Sequence, residues 1–227
     1  MNTGYPISTI LHYCNSFVST PKEKIFYKEQ FAGVYVSDGV AFATNLAQII
    51  VWKTDSQWKD TFIAAGEGVK DKDYKTPNWQ GYLPSKEDVL HMVELENGSG
   101  LKRMFTHWKK IFAMHAKGAR QGKLERGVVY IYPNKNGLFS YSEIPNVWQM
   151  RARLCDTDSQ EIMSKAVLAF NPNYFINICN VLENINPYKL TIKLTSKGLY
   201  METEEQMIRW YCCNIKTPHE VSIDTEW

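Results

Sequence analysis

Between Asn97 and Lys123 the chain has no aspartate and no glutamate, although its 227 residues include 24 acidic and 26 basic side chains and sum to a formal charge of only +2. That absence removes the Glu-to-Lys pairing at i,i+4 that usually accompanies lysines on a solvated helix. Also missing is an apolar run near the roughly 20 residues of a membrane span. Residues 1–8 lack the basic stretch and apolar stretch of a secretory signal, so a reducing, cytoplasmic setting is expected. The five cysteines, Cys14, Cys155, Cys179, Cys212 and Cys213, are odd in number and without framework spacing. They argue against a disulfide scaffold and against C-x-x-C redox or zinc chemistry, and read as core packing. Neither G-x-G-x-x-G nor a Walker loop occurs.

What the acid-free window does contain is a two-faced helix. Over 101–117, Leu101, Met104, Phe105, Trp108, Ile111, Phe112 and His115 recur at the i, i+3, i+4, i+7 spacing of one face. Lys102, Arg103, Lys109, Lys110 and Lys117 fall opposite, and Arg120 and Lys123 follow. Gly98, Ser99 and Gly100 mark the start, with Ser99 a candidate cap, and Gly118 marks the end. A cationic row on a nearly neutral chain suits a phosphate backbone, because neutralising phosphates releases condensed counterions. The plainer alternative is a solvated lysine face.

With 44% hydrophobic, 13% aromatic and 22% charged residues, the chain reads as folded and globular, and its elements recur in order. A helix over 7–19, stopped before Pro21, precedes strands at 24–28, 33–36, 40–44 and 48–53, with Ser37-Asp38-Gly39 as a tight hairpin turn. The cationic helix leads into strands at 127–132, 138–142 and 147–154. A third series has a strand at 165–170, then a helix capped by Asn171 with Pro172 in its first turn and running to about Glu183. Strands at 188–195, 198–203 and 207–216 complete it. An insertion at about 66–100 separates the first two series. In it Ser85-Lys86-Glu87-Asp88 would open a short helix ending near Glu96, and Tyr74, Trp79 and Tyr82 would pin the loop or stack on a ligand. The fold class is α+β, in two domains. Residues 1–160 hold two units and the insertion, and 161–227 hold a third unit and a C-terminal tail.

The segment Ala166-Val167-Leu168-Ala169-Phe170-Asn171-Pro172-Asn173-Tyr174-Phe175, the helix after it, Lys189-Leu190-Thr191-Ile192-Lys193-Leu194 and Gly198-Leu199-Tyr200-Met201-Glu202 resemble the last βαβββ unit of DNA sliding clamps of the bacterial polymerase III beta-subunit kind. Gly33-Val34-Tyr35-Val36-Ser37-Asp38-Gly39-Val40-Ala41-Phe42-Ala43-Thr44-Asn45 resembles the hairpin after a clamp's first helix. The resemblance implies repeated βαβββ units with helices on one face of antiparallel sheets, in a ring that performs no catalysis. Its partners would be double-stranded DNA, other copies of the chain, and proteins that dock through short peptides, with no cofactor, metal or membrane. Carried over, the DNA-facing residues would be Lys102, Arg103, Lys109, Lys110 and Lys117, with Arg120 and Lys123 at the helix exit. Three units per chain would close a twelve-unit ring as a tetramer, and two full domains would form a trimer or no ring. One departure stands out: the helix from Asn173 shows Asn173, Asn177 and Asn180 outward and no cation. A clamp-fold scaffold of a phage or mobile element that does not encircle DNA is the alternative.

Catalytic constellations are sparse. His107 and His115 lie too far apart along a helix to share a metal, and His115 falls on the apolar face, where a core histidine is expected. Asp156, Asp158 and Glu161 fit either a divalent cation or a polar linker. His12 near Cys14 has no spacing diagnostic of a nucleophile and its base.

Overall fold

The computed structural model describes residues 5–20, 28–55, 61–65, 68–69, 76–96, 98–121, 127–144, 148–156 and 167–215, which fall into two compact units. Met1–Leu83 with Met201–Cys212 form the first, and Pro84–Tyr200 with Cys213–Trp227 form the second. The division by repeats, 1–160 and 161–227, runs along the chain, whereas these units are grouped by packing.

In the first unit, α1 (Ile7–Cys14) continues as a 3-10 turn over Asn15–Phe17 and buries Ile10, Cys14 and Phe17. Strands β1 (Gly33–Ser37), β2 (Val40–Thr44), β3 (Gln48–Lys53), β4 (Thr61–Ala64) and β5 (Gly68–Val69) lie in the order β5-β4-β1-β2-β3. The expected hairpin turn is present, with Asp38 and Gly39 both left-handed (φ 48° and 73°), the backbone a two-residue turn needs to match strand twist. β1 and β3 are apolar along nearly their whole length because both sheet faces are covered. On one face Tyr13 of α1 stacks on Trp52 at 5.9 Å. On the other, Trp79 lies 6.5 Å from Phe42 with the Arg209 guanidinium 4.6 Å over its ring. Trp79 therefore pins its loop, Tyr82 is exposed, and Tyr74 lies outside the described residues. Of the strand expected at 24–28, residues 24–27 lie outside the described residues, and Lys28 leads into a 3-10 turn over Glu29–Phe31.

The second unit begins with a correction. Ser85 and Asp88 do form the expected capping box, but it closes only the 3-10 turn Lys86–Asp88, after which the chain extends as β6 (Val89–Glu96). The alternation of buried His91 and Val93 with exposed Met92 and Glu94 has a period of two, so the expected helix does not form. There follow α2 (Gly98–Gln121), β7 (Val129–Asn134), β8 (Gly137–Ile144), β9 (Trp148–Cys155), β10 (Leu168–Phe170), α3 (Pro172–Ile185), β11 (Lys189–Thr195) and β12 (Gly198–Thr203). β12 runs on into the first unit, where β13 (Ile208–Cys213) pairs antiparallel with β3.

Two successive βαβββ series, β6-α2-β7-β8-β9 and β10-α3-β11-β12-β13, thus follow one another, and each lends its first strand to the other's sheet. β6 pairs with β11, Val93 opposite Ile192, and β10 pairs with β7, Ala169 opposite Tyr130. The resulting four-stranded sheet has the order β10-β7-β8-β9. Asn171 caps α3 as expected, its side chain accepting from the Asn173 N–H at 3.0 Å, and left-handed Asn186 ends the helix. Gly118 does not stop α2. It lies inside the helix and is buried, and a Cβ there would stand 2.7 Å from the Trp148 ring, so glycine is what lets β9 approach.

Candidate nucleic-acid interface

α2 is 24 residues long and contains no acidic residue. At 1.5 Å per residue it spans about 36 Å. Its apolar stripe turns inward: Leu101, Phe105, Trp108, Ile111, Phe112, His115 and Ala116 are all buried. Trp108 Nε1 donates to the Leu154 carbonyl of β9 at 2.7 Å, and Phe112 stacks on Phe175 of α3 at 4.3 Å. Docking on both sides fixes the rotation of α2 and turns Lys102, Arg103, Lys110 and Lys117 to solvent. Arg103, Lys110 and Lys117 are seven apart, so they form a nearly straight file about 10.5 Å per step that drifts only ~20° per heptad.

Lys109 departs from the expected row. Its ammonium forms an ion pair with Glu183 of α3, with both side chains partly buried. Thr106 also donates to Glu183, and these two contacts hold the Glu183 carboxyl below the usual carboxylate range. One of the expected duplex-facing cations is thereby spent on joining two helices. Arg120 lies within α2 but its side chain, like that of Ser99, is outside the described residues, and Lys123 is outside them altogether. Glu183 is the participant that sequence reasoning missed. Its partner is 74 residues away, and no local spacing signals that.

The catalytic candidates do not assemble. His115 is buried, with its ring nitrogens hydrogen-bonded to Ser142 and, at 3.0 Å, to Ser140, while His107 is exposed. Asp156 pairs with Arg153, and Asp158 and Glu161 lie outside the described residues. Burial pushes the thiols of Cys14 and Cys155 up to about 12 and raises that of Cys179 as well, so none is a ready nucleophile. Among the described residues no three His, Cys, Asp or Glu are grouped to hold a metal, and no helix is long and apolar enough to cross a membrane.

His115 gives a pH prediction. Burial lowers it from 6.5 to about 4, and it lowers His91 as well. Below 6.5 the unfolded chain takes up a proton that the folded chain refuses, so stability falls as pH drops from 6.5 towards 4. From pH 7 to pH 5 the loss through His115 should be about 2 kcal/mol, to which His91 adds in the same direction. Urea midpoints at the two pH values test this, and equal midpoints would refute it.

Paired helices carried on antiparallel sheets, with consecutive βαβββ series exchanging first strands, define the DNA sliding-clamp fold. Solved bacterial DNA polymerase III beta subunits share it. That of Streptococcus pneumoniae matches with a TM-score of 0.62 at 13% identity over 96% of this chain and 64% of its own. The Bacillus subtilis sliding clamp matches at 0.64 and 14% identity over 92% of this chain and 61% of its own, and that of Caulobacter crescentus at 0.64 and 11% over 96% and 65%. The match therefore spans less than two thirds of the length of each. No family model matches the sequence, nor does any curated protein.

Proposed function

We propose that this protein is a sliding-clamp-like DNA-binding protein that holds duplex DNA without reading its sequence and tethers replication or other DNA-processing proteins, performing no chemistry itself. The observation that carries this reading is the exposed file of Arg103, Lys110 and Lys117, with Lys102 exposed beside it, on a helix without acids in a clamp-fold unit. Cations so placed neutralise phosphates wherever the helix rests and read no base edge.

A second reading, a clamp-fold scaffold that does not encircle DNA, draws support from α3, whose outward face has no cation. Topology separates the two. Protein bound to nicked circular duplex and challenged with high salt should be retained, and protein on the linear form of that duplex should run off its ends. Equal loss from both forms would refute encirclement and favour the scaffold.

A further inference from the structure

The outward stripe of α3 consists of asparagine. Asn173, Asn177, Asn180 and Asn184 fall within about 60° of one another on the helix. Asn173 and Asn184 are exposed and Asn177 and Asn180 half-buried, while Phe175, Ile178 and Leu182 behind them are fully buried. Helix stability does not favour this choice, since asparagine ranks low in helix interiors, where its amide competes for backbone groups. Nor does charge explain it. The one side chain in Pro172–Ile185 that is charged at neutral pH is Glu183, already bound by Lys109 and Thr106. Those contacts and the Phe112–Phe175 stack set α2 and α3 side by side, so the asparagine stripe and the cationic file border the same seam.

We propose that α3 supplies the uncharged half of the duplex-facing surface, its asparagine amides donating hydrogen bonds to phosphate and sugar oxygens of double-stranded DNA. This rests on the DNA-binding reading and extends it to a helix without charge. A primary amide has two N–H donors. Asn173 uses one on the Asn171 side chain at 3.1 Å and Asn184 one on the Asn180 carbonyl at 2.7 Å, which leaves each a second N–H for a ligand. Phosphate contacts from asparagine position a duplex without sequence information, and they displace no counterion. The two helices therefore do different things: both add affinity, and the salt dependence comes from α2.

The test measures affinity for a short duplex across a salt series. Asn173→Ala with Asn184→Ala should weaken binding by roughly tenfold at every salt concentration, for two lost hydrogen bonds, and leave the log–log salt slope unchanged. Alanine favours the helix more than asparagine does, so unfolding would not account for that loss. Asn180→Lys should raise affinity and steepen the slope by about 0.9. Unchanged affinity in the double alanine variant, or an unchanged slope with Asn180→Lys, would overturn the proposal. If Lys110→Glu weakens binding while both asparagine variants behave as wild type, only this inference falls. If the wild-type protein does not bind duplex at all, the DNA-binding reading falls with it.

Discussion

Replacing Arg103, Lys110 and Lys117 together by glutamate should lower the affinity for duplex DNA roughly a hundredfold at moderate salt, equally for unrelated sequences, and reduce the salt slope by about 3. The three side chains are exposed, and no ion pair within the described residues ties them down, so their positive charge is available to a ligand. Glutamate has nearly the helix propensity of lysine and arginine. The fold should therefore survive, and the far-ultraviolet circular dichroism spectrum and melting temperature should stay close to those of the wild type. Lys109 is left out of the set because reversing it would place a second carboxylate against Glu183 and confuse helix packing with binding. Titrations with two unrelated duplexes at several salt concentrations would decide the matter. Affinity within twofold of wild type would reduce the cationic file to a solubility feature.

The largest loss of stability should come from Phe112→Ala, at about 3–5 kcal/mol in a urea melt. Phe112 is fully buried in the seam between α2 and α3, with its ring stacked on Phe175. Truncation leaves a void that two helices held by the Lys109–Glu183 pair cannot readily close. Such a loss is a large part of the 5–15 kcal/mol that typically holds a domain folded, so Phe112→Leu, with a smaller expected cost, keeps the measurement within range. A double-mutant cycle with Phe175 should return a coupling of about 0.5–1.5 kcal/mol, the usual range for a specific ring pair. A loss below about 1 kcal/mol for Phe112→Ala would show that the seam tolerates a void.

Local chemistry made some elements readable and long-range packing hid others. The stripe Leu101, Phe105, Trp108, Ile111, Phe112 and His115 was legible because helix period and burial agree, and Asn171-Pro172 because a capping amide and a fixed φ act within one turn. The segment after Ser85 misled because its capping box is real: Ser85 and Asp88 satisfy one turn, and β6 then extends because its ladder partner Lys189–Thr195 lies far along the chain. Gly118 looked like a helix stop by itself, and only the arrival of Trp148 turns it into a packing contact. Of the seven expected duplex-facing residues, Lys102, Arg103, Lys110 and Lys117 reach solvent, as the wheel of α2 implied. Lys109 sits at the edge of that wheel, and its fate depends on which helix covers the flank, a fact held by Glu183 and not by α2.

Because β6 belongs to α2's series yet completes α3's sheet, and β10 does the reverse, the two series are clasped like hooked hands. Hydrogen bonds such as those joining Val93 and Ile192 span about a hundred residues of sequence. Neither hand can close until both have been synthesised, which predisposes the chain to slow assembly. Once closed, a pull on either hand loads both, so this part of the molecule cannot come apart one series at a time.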